Sequence, residues 1–98
     1  MIYVVATTQI KPECREAFLK GASACITETR KEKGCTSYEG HTSINDPNLY
    51  VVVERWESRE HLNAHARAPH MKTWREYSNP LKVSTVIEII SDAKVERF

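Results

Sequence analysis

The residues best suited to chemistry lie close together, in the segment from Glu54 to Trp74, ERWESREHLNAHARAPHMKTW. This segment carries three of the four histidines, both tryptophans and a carboxylate at the end of an apolar run. Histidine is suited to proton transfer because its ordinary pKa is about 6.5, and indole rings pack well against planar molecules. A proton carrier beside aromatic surface predicts a site for a small aromatic molecule.

Two histidines of this segment are the candidate catalytic bases. His65 is the first choice, because Leu62 and Ala66 place it on the apolar side of a predicted helix. His70 follows Pro69, at the start of a second helical segment, and is the second choice. The alternative is that His65 is a core histidine bonded to backbone and that His70 only begins a helix.

Aromatic and apolar side chains are the candidate substrate-binding residues. Trp56 and Trp74 could hold a planar ring between them, although core packing is the alternative role for each. Glu54 could orient a histidine or pair with the neighbours of Arg55 at a dimer edge, but a charge at a strand end is most often solvated. The predicted lining is completed by Tyr38, Val52, Leu62 and Tyr77.

The chain lacks the sequence motifs that are typical of metal-binding and nucleotide-binding sites. His61 and His65 are four positions apart on a predicted helix and could chelate an ion together with His41 or His70. However, the chain has no HExxH motif and no cysteine at ligand spacing beside these histidines. It also has only three glycines, none in a phosphate-binding motif. We therefore predict no metal and no cofactor.

Size and composition restrict the partners. The chain has 98 residues, read as one domain over 1–98, and a formal net charge of +1, so neither nucleic acid nor an anionic membrane is the expected partner. The N-terminal sequence lacks the features of a signal peptide, no apolar run reaches the length of a membrane span, and the three cysteines suit reduced thiols. We expect a cytoplasmic protein.

Hydrophobic patterning predicts four strands and two helical regions. Strands are expected at 2–10, 35–44, 49–57 and 83–90, a first helix from Pro12 to Lys33 that stops at Gly34, and a second helix that begins after Ser58 and is broken at Pro69. The order β-α-β-β-α-β is typical of a ferredoxin-like α+β sandwich, whose first and third strands lie in the middle of the sheet.

Alternation along the central strands predicts a second, apolar sheet face. Val4 and Ala6 point one way and Val5 the other, and on the third strand Val51 and Val53 oppose Val52. Two helices can cover only one face of the sheet, so the other face would remain exposed in a monomer. The sequence therefore predicts a homodimer packed sheet to sheet.

Three stretches together resemble the antibiotic biosynthesis monooxygenase family: KGCTSY, NDPNLYVVVERWES and HLNAHARAPHMKTW. The resemblance covers nearly the whole chain, and Trp56, His65 and His70 match the family's strand tryptophan and paired histidines. It implies a dimeric α/β barrel and oxygenation of quinols or related phenols without flavin, haem or metal.

The chain departs from two branches of that family. The branch that oxidises anthrones implies an amide and a tyrosine where this chain has Val52 and Leu62. The branch that degrades haem implies an asparagine in the first strand, where the candidates are Thr7 and Thr8, and a second tryptophan where Ala66 stands. Neither anthrone nor haem is therefore the expected substrate.

Three functions remain open at this point. The first is a cofactor-independent monooxygenase that uses dioxygen and a quinol-like or other small electron-rich molecule, with a helix histidine as base. The second is a non-catalytic dimeric domain that binds a small ligand or takes part in a stress response. The third is an isomerase of small oxygenated metabolites. Fold alone does not choose among them.

Overall fold

The computed structural model describes residues 1–98 and contains four strands and three α-helices. The strands are β1 (Ile2–Ile10), β2 (Cys35–Thr42), β3 (Leu49–Trp56) and β4 (Lys82–Ile90). The helices are α1 (Arg15–Thr29), α2 (Arg59–Arg67) and α3 (Pro69–Ser78), with short 3-10 turns at Pro12–Cys14 and Asn79–Leu81. No helix is both long and apolar enough to cross a membrane.

The first helix is shorter than the sequence predicts. The sequence predicts one helix from Pro12 to Lys33, but this region begins with a 3-10 turn and α1 ends at Thr29. Beyond Thr29 the backbone tightens, because the amide of Glu32 donates to the carbonyl of Thr29 at 2.9 Å. Gly34 then takes a left-handed φ of 85°, a conformation that favours glycine.

The break in the second helical region lies where proline predicts it. Ser58 caps α2 by accepting a hydrogen bond from the amide of His61 at 3.3 Å. Ala68 is extended at ψ 141°, as expected of a residue before proline, and α3 starts at Pro69. Consequently, α2 ends at Arg67 and α3 begins as a separate helix.

The four strands form one antiparallel sheet in the order β2-β3-β1-β4. The two most apolar strands, β1 and β3, are therefore central, and the predicted ferredoxin-like α+β fold is confirmed. The core lies between this sheet and the helices. Phe18 of α1 is central to it, with its ring edge-on to Tyr50 at 5.4 Å and to Trp74 at 5.1 Å.

The opposite face of the sheet is covered by no helix of the chain. Val5 pairs with Val53 across the two central strands, and Tyr3 of β1 and Val51 of β3 lie on the same outward face. These side chains are only partly buried, and Val86 of β4, on the same face, is 59% exposed. The sheet-to-sheet dimer thus stays a prediction, with a defined apolar surface to support it.

Light scattering at micromolar concentration tests the dimer. We expect the wild-type mass to be twice the 11.3 kDa of one chain, and Val53→Lys to shift it toward the monomer, because a lysine would lie in the apolar interface. Ile44→Lys is the matched control, since Ile44 is fully exposed in the turn between β2 and β3. A monomeric wild-type mass would refute the argument from strand alternation.

Candidate active site

The site begins with the inward face of β3. Strand alternation directs Tyr50, Val52, Glu54 and Trp56 under the helices, and all four are buried. Trp56 is 0% exposed, and its indole N–H donates to Oε1 of Glu54 at 3.0 Å. The predictions that Glu54 is solvated, orients a histidine or pairs beside Arg55 are wrong, because its carboxyl group lies in the interior, forms no ion pair and accepts a hydrogen bond from Trp56.

His65 packs against this tryptophan from the helix side. The capped start of α2 places Leu62 and His65 on its buried face. The imidazole centroid of His65 lies 4.6 Å from the Trp56 ring and 5.6 Å from the Tyr38 ring. His65 is only 4% exposed, so it is a buried polar group that needs a hydrogen-bond partner.

Glu32 supplies that partner from the turn that follows α1. Nδ1 of His65 lies 2.6 Å from Oε2 of Glu32, a short bond typical of a charge-assisted pair. Nε2 of His70 lies 3.2 Å from the same oxygen and 3.2 Å from the hydroxyl of Thr29. The carboxylate of Glu32 therefore contacts both predicted catalytic bases, His65 and His70.

The bond to Glu32 determines which ring nitrogen of His65 is free. A carboxylate only accepts, so a neutral His65 must carry its proton on Nδ1. Nε2 makes no hydrogen bond within the protein. Every fully buried side-chain nitrogen or oxygen has a hydrogen-bond partner, so Nε2 is not fully buried. The unprotonated Nε2 must therefore border open space.

That space is a cavity of about 440 Å³ between the sheet and the helices, a volume within the range of small-molecule sites. Its walls are mainly apolar and include residues of all three α-helices and all four strands. Five of the predicted site residues line it: Tyr38, Val52, Leu62, His65 and Trp74. Ile87 and Ile89 of β4 also line it and are 62% and 42% exposed, so the cavity opens beside β4.

Three predicted site residues lie outside this cavity. Trp56 is behind His65 and supports it rather than lining the space. His70 and Tyr77 border a shallower groove of about 530 Å³ between α1 and α3, which Trp74 also lines. The Tyr77 hydroxyl donates to the backbone carbonyl of Ala17 at 2.6 Å. The residues predicted as one site are thus divided between two concavities.

Burial shifts the proton affinities of the cavity residues in opposite senses. Desolvation lowers the pKa of His65, although the bond to Glu32 offsets part of the effect. Desolvation raises the pKa of Glu54 to about 7, opposed by the hydrogen bond from Trp56 and reinforced by the charge of Glu32. Burial also raises the pKa of Tyr50 to about 12 and that of Tyr38 further. The site therefore favours the neutral form of both the His65 imidazole and the Glu54 carboxyl group.

The three clustered side chains could also hold a metal ion. The ligand atoms of Glu32, His65 and His70 lie within 4.8 Å of one another, and two histidines with one carboxylate is a set that binds transition metals. Metal-bound histidines usually donate their other ring N–H to a protein partner. The ring nitrogens that point away from Glu32, Nε2 of His65 and Nδ1 of His70, make no such hydrogen bond. The three side chains therefore suit a cluster of hydrogen bonds around Glu32 better than a metal site. His61, which the sequence also offers as a metal ligand, is not part of this cluster: its Nδ1 lies 2.8 Å from the Ser58 hydroxyl.

Glu32 is the site residue that the sequence analysis missed. It lies within the charged stretch KEK and reads as a solvated helix end. A signal was nevertheless present, because the buried residues of α1 are Phe18, Ala22, Cys25 and Thr29, and the next step of that spacing is Glu32. A carboxylate on the apolar stripe of a helix needs a buried partner.

Comparison with known proteins places this geometry in a family. Residues 1–77 match the family described as antibiotic biosynthesis monooxygenase. The chain belongs to this family. The Escherichia coli protein named "Probable quinol monooxygenase YgiN" is 33% identical over 86 residues, which cover 78% of this chain and 83% of that protein. Rv0793 of Mycobacterium tuberculosis is 36% identical over 74 residues, covering 76% and 72%.

Solved structures of similar sequence agree with the fold. Rv0793 superposes with a TM-score of 0.90 at 28% identity, covering 98% of each chain. A conserved protein from Methanosarcina mazei gives a TM-score of 0.88 at 31% identity, covering 91% of this chain and 89% of its own. The resemblance seen in the sequence is therefore confirmed for both family and fold.

The raised pKa of Glu54 predicts a pH-dependent stability. The folded pKa of about 7 exceeds the unfolded value of 4.5, so the neutral acid stabilises the fold below pH 4.5 and this contribution is lost as pH rises through 7. His65 has the opposite sign: its lowered pKa costs stability as pH falls below 6.5. We therefore isolate Glu54 by comparing wild type with Glu54→Gln, which keeps an acceptor for Trp56.

Urea denaturation at fixed protein concentration measures the difference. Between pH 4.5 and 7, we expect the wild type to lose about 3 kcal/mol of unfolding free energy relative to Glu54→Gln. Glu57→Gln, an exposed position at the end of the same strand, should show no such trend. A difference between wild type and Glu54→Gln that does not change with pH would contradict the raised pKa.

Proposed function

We propose that the protein is a cofactor-independent monooxygenase that oxidises a quinol-like substrate with dioxygen, and that His65 is its base. The observation that carries the proposal is the unbonded Nε2 of His65, which borders a mainly apolar cavity while Nδ1 is held by Glu32 at 2.6 Å. Membership of the monooxygenase family and the name of the relative YgiN support the same reaction class.

The first task of such an enzyme is to deprotonate the substrate. A quinol becomes electron-rich as its anion, and the anion can pass an electron to dioxygen without a cofactor. Nε2 of His65 accepts the phenolic proton, and the lowered pKa keeps the imidazole neutral and ready to accept near pH 7. Glu32 then stabilises the imidazolium that forms, because its carboxylate bonds Nδ1.

The second task is to keep water from the reduced oxygen species. The cavity is walled by Val52, Leu62 and Trp74, among other apolar side chains, and a dry site favours transfer to the bound substrate over loss to solvent. His70 lies in the outer groove, so we assign it a positioning role through Glu32 rather than contact with substrate. Trp56 has a similar role, because its ring supports the imidazole.

Oxygen uptake with a reduced naphthoquinone tests the proposal. We expect turnover above the rate of uncatalysed oxidation, and a loss of about 100-fold or more in His65→Gln, since proton transfer by a placed base contributes about 100- to 10,000-fold. His70→Ala should lose less. His41→Gln is the matched control, because His41 is exposed on β2, away from the cavity.

Two outcomes would contradict the proposal in different ways. Oxygen uptake that is unchanged in His65→Gln and in the double variant with His70→Ala would remove the proposed base. No uptake with any quinol, together with saturable quenching of tryptophan fluorescence, would favour a ligand-binding domain instead.

A further inference from the structure

Glu54 is a buried carboxyl group that the base mechanism does not use. It is 5% exposed, lies on the central strand β3, and takes part in no ion pair within 4 Å. Oε1 accepts the indole N–H of Trp56 at 3.0 Å. Oε2 makes no hydrogen bond, and no fully buried side-chain oxygen of the protein lacks a partner. Oε2 is therefore accessible, and it borders the cavity that Glu54 lines.

Its surroundings favour the protonated form. The titratable groups that act on it or face it come from α1, the turn after α1, β2, β3 and α2, namely Cys25, Glu32, Cys35, Tyr38, Tyr50 and His65. None of these is a fixed cation. Arginine and lysine reach the cavity only at its partly buried or exposed wall, as Arg59, Arg75 and Lys82. An unpaired carboxylate in this interior is costly, and protonation removes the charge.

Glu54 and His65 flank the same indole. Glu54 bonds the Trp56 N–H, whereas the imidazole of His65 packs against the Trp56 rings at 4.6 Å. Both side chains line the one cavity, so a bound molecule meets an unprotonated imidazole nitrogen and a protonated carboxyl oxygen together. Where the surroundings shift the pKa values of two neighbouring groups in opposite directions, one group can act as the base and the other as the acid.

We propose that Glu54 is a second catalytic residue, a general acid that protonates the peroxide formed on the substrate. This inference rests on the proposed function of the same site. It adds a separate step, the capture of the peroxide intermediate, on which the outcome of the oxygen chemistry depends.

The reaction balances with quinol and dioxygen as the only reactants. His65 takes the phenolic proton, the quinolate passes one electron to dioxygen, and the resulting radicals combine to form a carbon–oxygen bond and a peroxide anion. Glu54 gives its proton to the terminal peroxide oxygen. The Glu54 carboxylate then takes the proton on the peroxide-bearing carbon, the O–O bond breaks, and a carbonyl forms.

The leaving hydroxide takes the proton from His65, which gives water. Both residues return to their starting forms, and the net reaction is quinol plus dioxygen to hydroxyquinone plus water. Without a proton from Glu54, the carbon–oxygen bond of the peroxide anion breaks again to semiquinone and superoxide. The semiquinone then passes its second electron and its remaining phenolic proton to superoxide, and the hydroperoxide anion that forms takes the proton from His65. The products are then quinone and hydrogen peroxide, which also balance. The ratio of hydrogen peroxide to oxygen consumed therefore reports on Glu54.

The test compares wild type, Glu54→Gln, Glu54→Asp and Glu57→Gln with a reduced naphthoquinone, corrected for uncatalysed oxidation. We expect Glu54→Gln to form hydroxylated product about 100-fold more slowly and to release most consumed oxygen as hydrogen peroxide. Glu54→Asp restores an acid and should recover part of the hydroxylation, and Glu57→Gln should match wild type. Infrared spectra near pH 6 should show a protonated-carboxyl band that Glu54→Gln lacks.

The outcomes separate this inference from the proposed function. If wild type turns over and His65→Gln does not, but Glu54→Gln retains the wild-type rate and peroxide yield, Glu54 is not the acid and His65 remains the base. Absence of the carboxyl band overturns the assignment of Glu54 independently of any turnover. A wild type that consumes no oxygen overturns the proposed function and the acid role with it.

Discussion

The contact between Glu32 and His65 is the interaction on which the site depends. It joins the turn after α1 to α2 across 33 positions of sequence, at a distance of 2.6 Å. A hydrogen bond to a charged group contributes roughly 1.5–3 kcal/mol, and breaking it leaves a buried polar group without a partner. It also fixes the proton of His65 on Nδ1. The same contact therefore holds helices together and directs Nε2 into the cavity.

The cavity combines groups whose surroundings act in opposite directions on their proton affinity. Burial makes the imidazole of His65 a weaker base than free histidine and makes the carboxyl of Glu54 a weaker acid than free glutamate. Trp56 contacts both through different parts of one ring system. An acid and a base can therefore coexist unreacted in one apolar space, which suits proton transfer to and from a bound phenol.

Much of the fold follows from local sequence rules, and the site only in part. Pro12 locates the 3-10 turn before α1, and the cap at Ser58 and Pro69 locate the starts of α2 and α3, because each acts on neighbouring backbone. The inward placement of Val52 and Leu62 follows from strand and helix periodicity. The pairing of Glu32 with His65 does not, because it depends on how a turn and a distant helix meet over the sheet.

The place of Glu54 shows the same limit. Its alternation with Val52 and Trp56 predicts an inward side chain, whereas its charge predicts a solvated strand end; the structure follows the alternation. The aromatic side chains of Trp56 and Tyr77 predict a place in the binding site for both; only packing shows that Trp56 supports His65 and that Tyr77 bonds the backbone of α1.

Nitrogen-15 NMR of the His65 imidazole tests the central claim most directly, since it distinguishes the protonated ring nitrogen from the free one. At pH 7 we predict a neutral ring with the proton on Nδ1 and an unprotonated Nε2, and a change in this tautomer balance when Glu32→Gln removes the carboxylate. A His65 ring with its proton on Nε2, or protonated on both nitrogens at that pH, would contradict it.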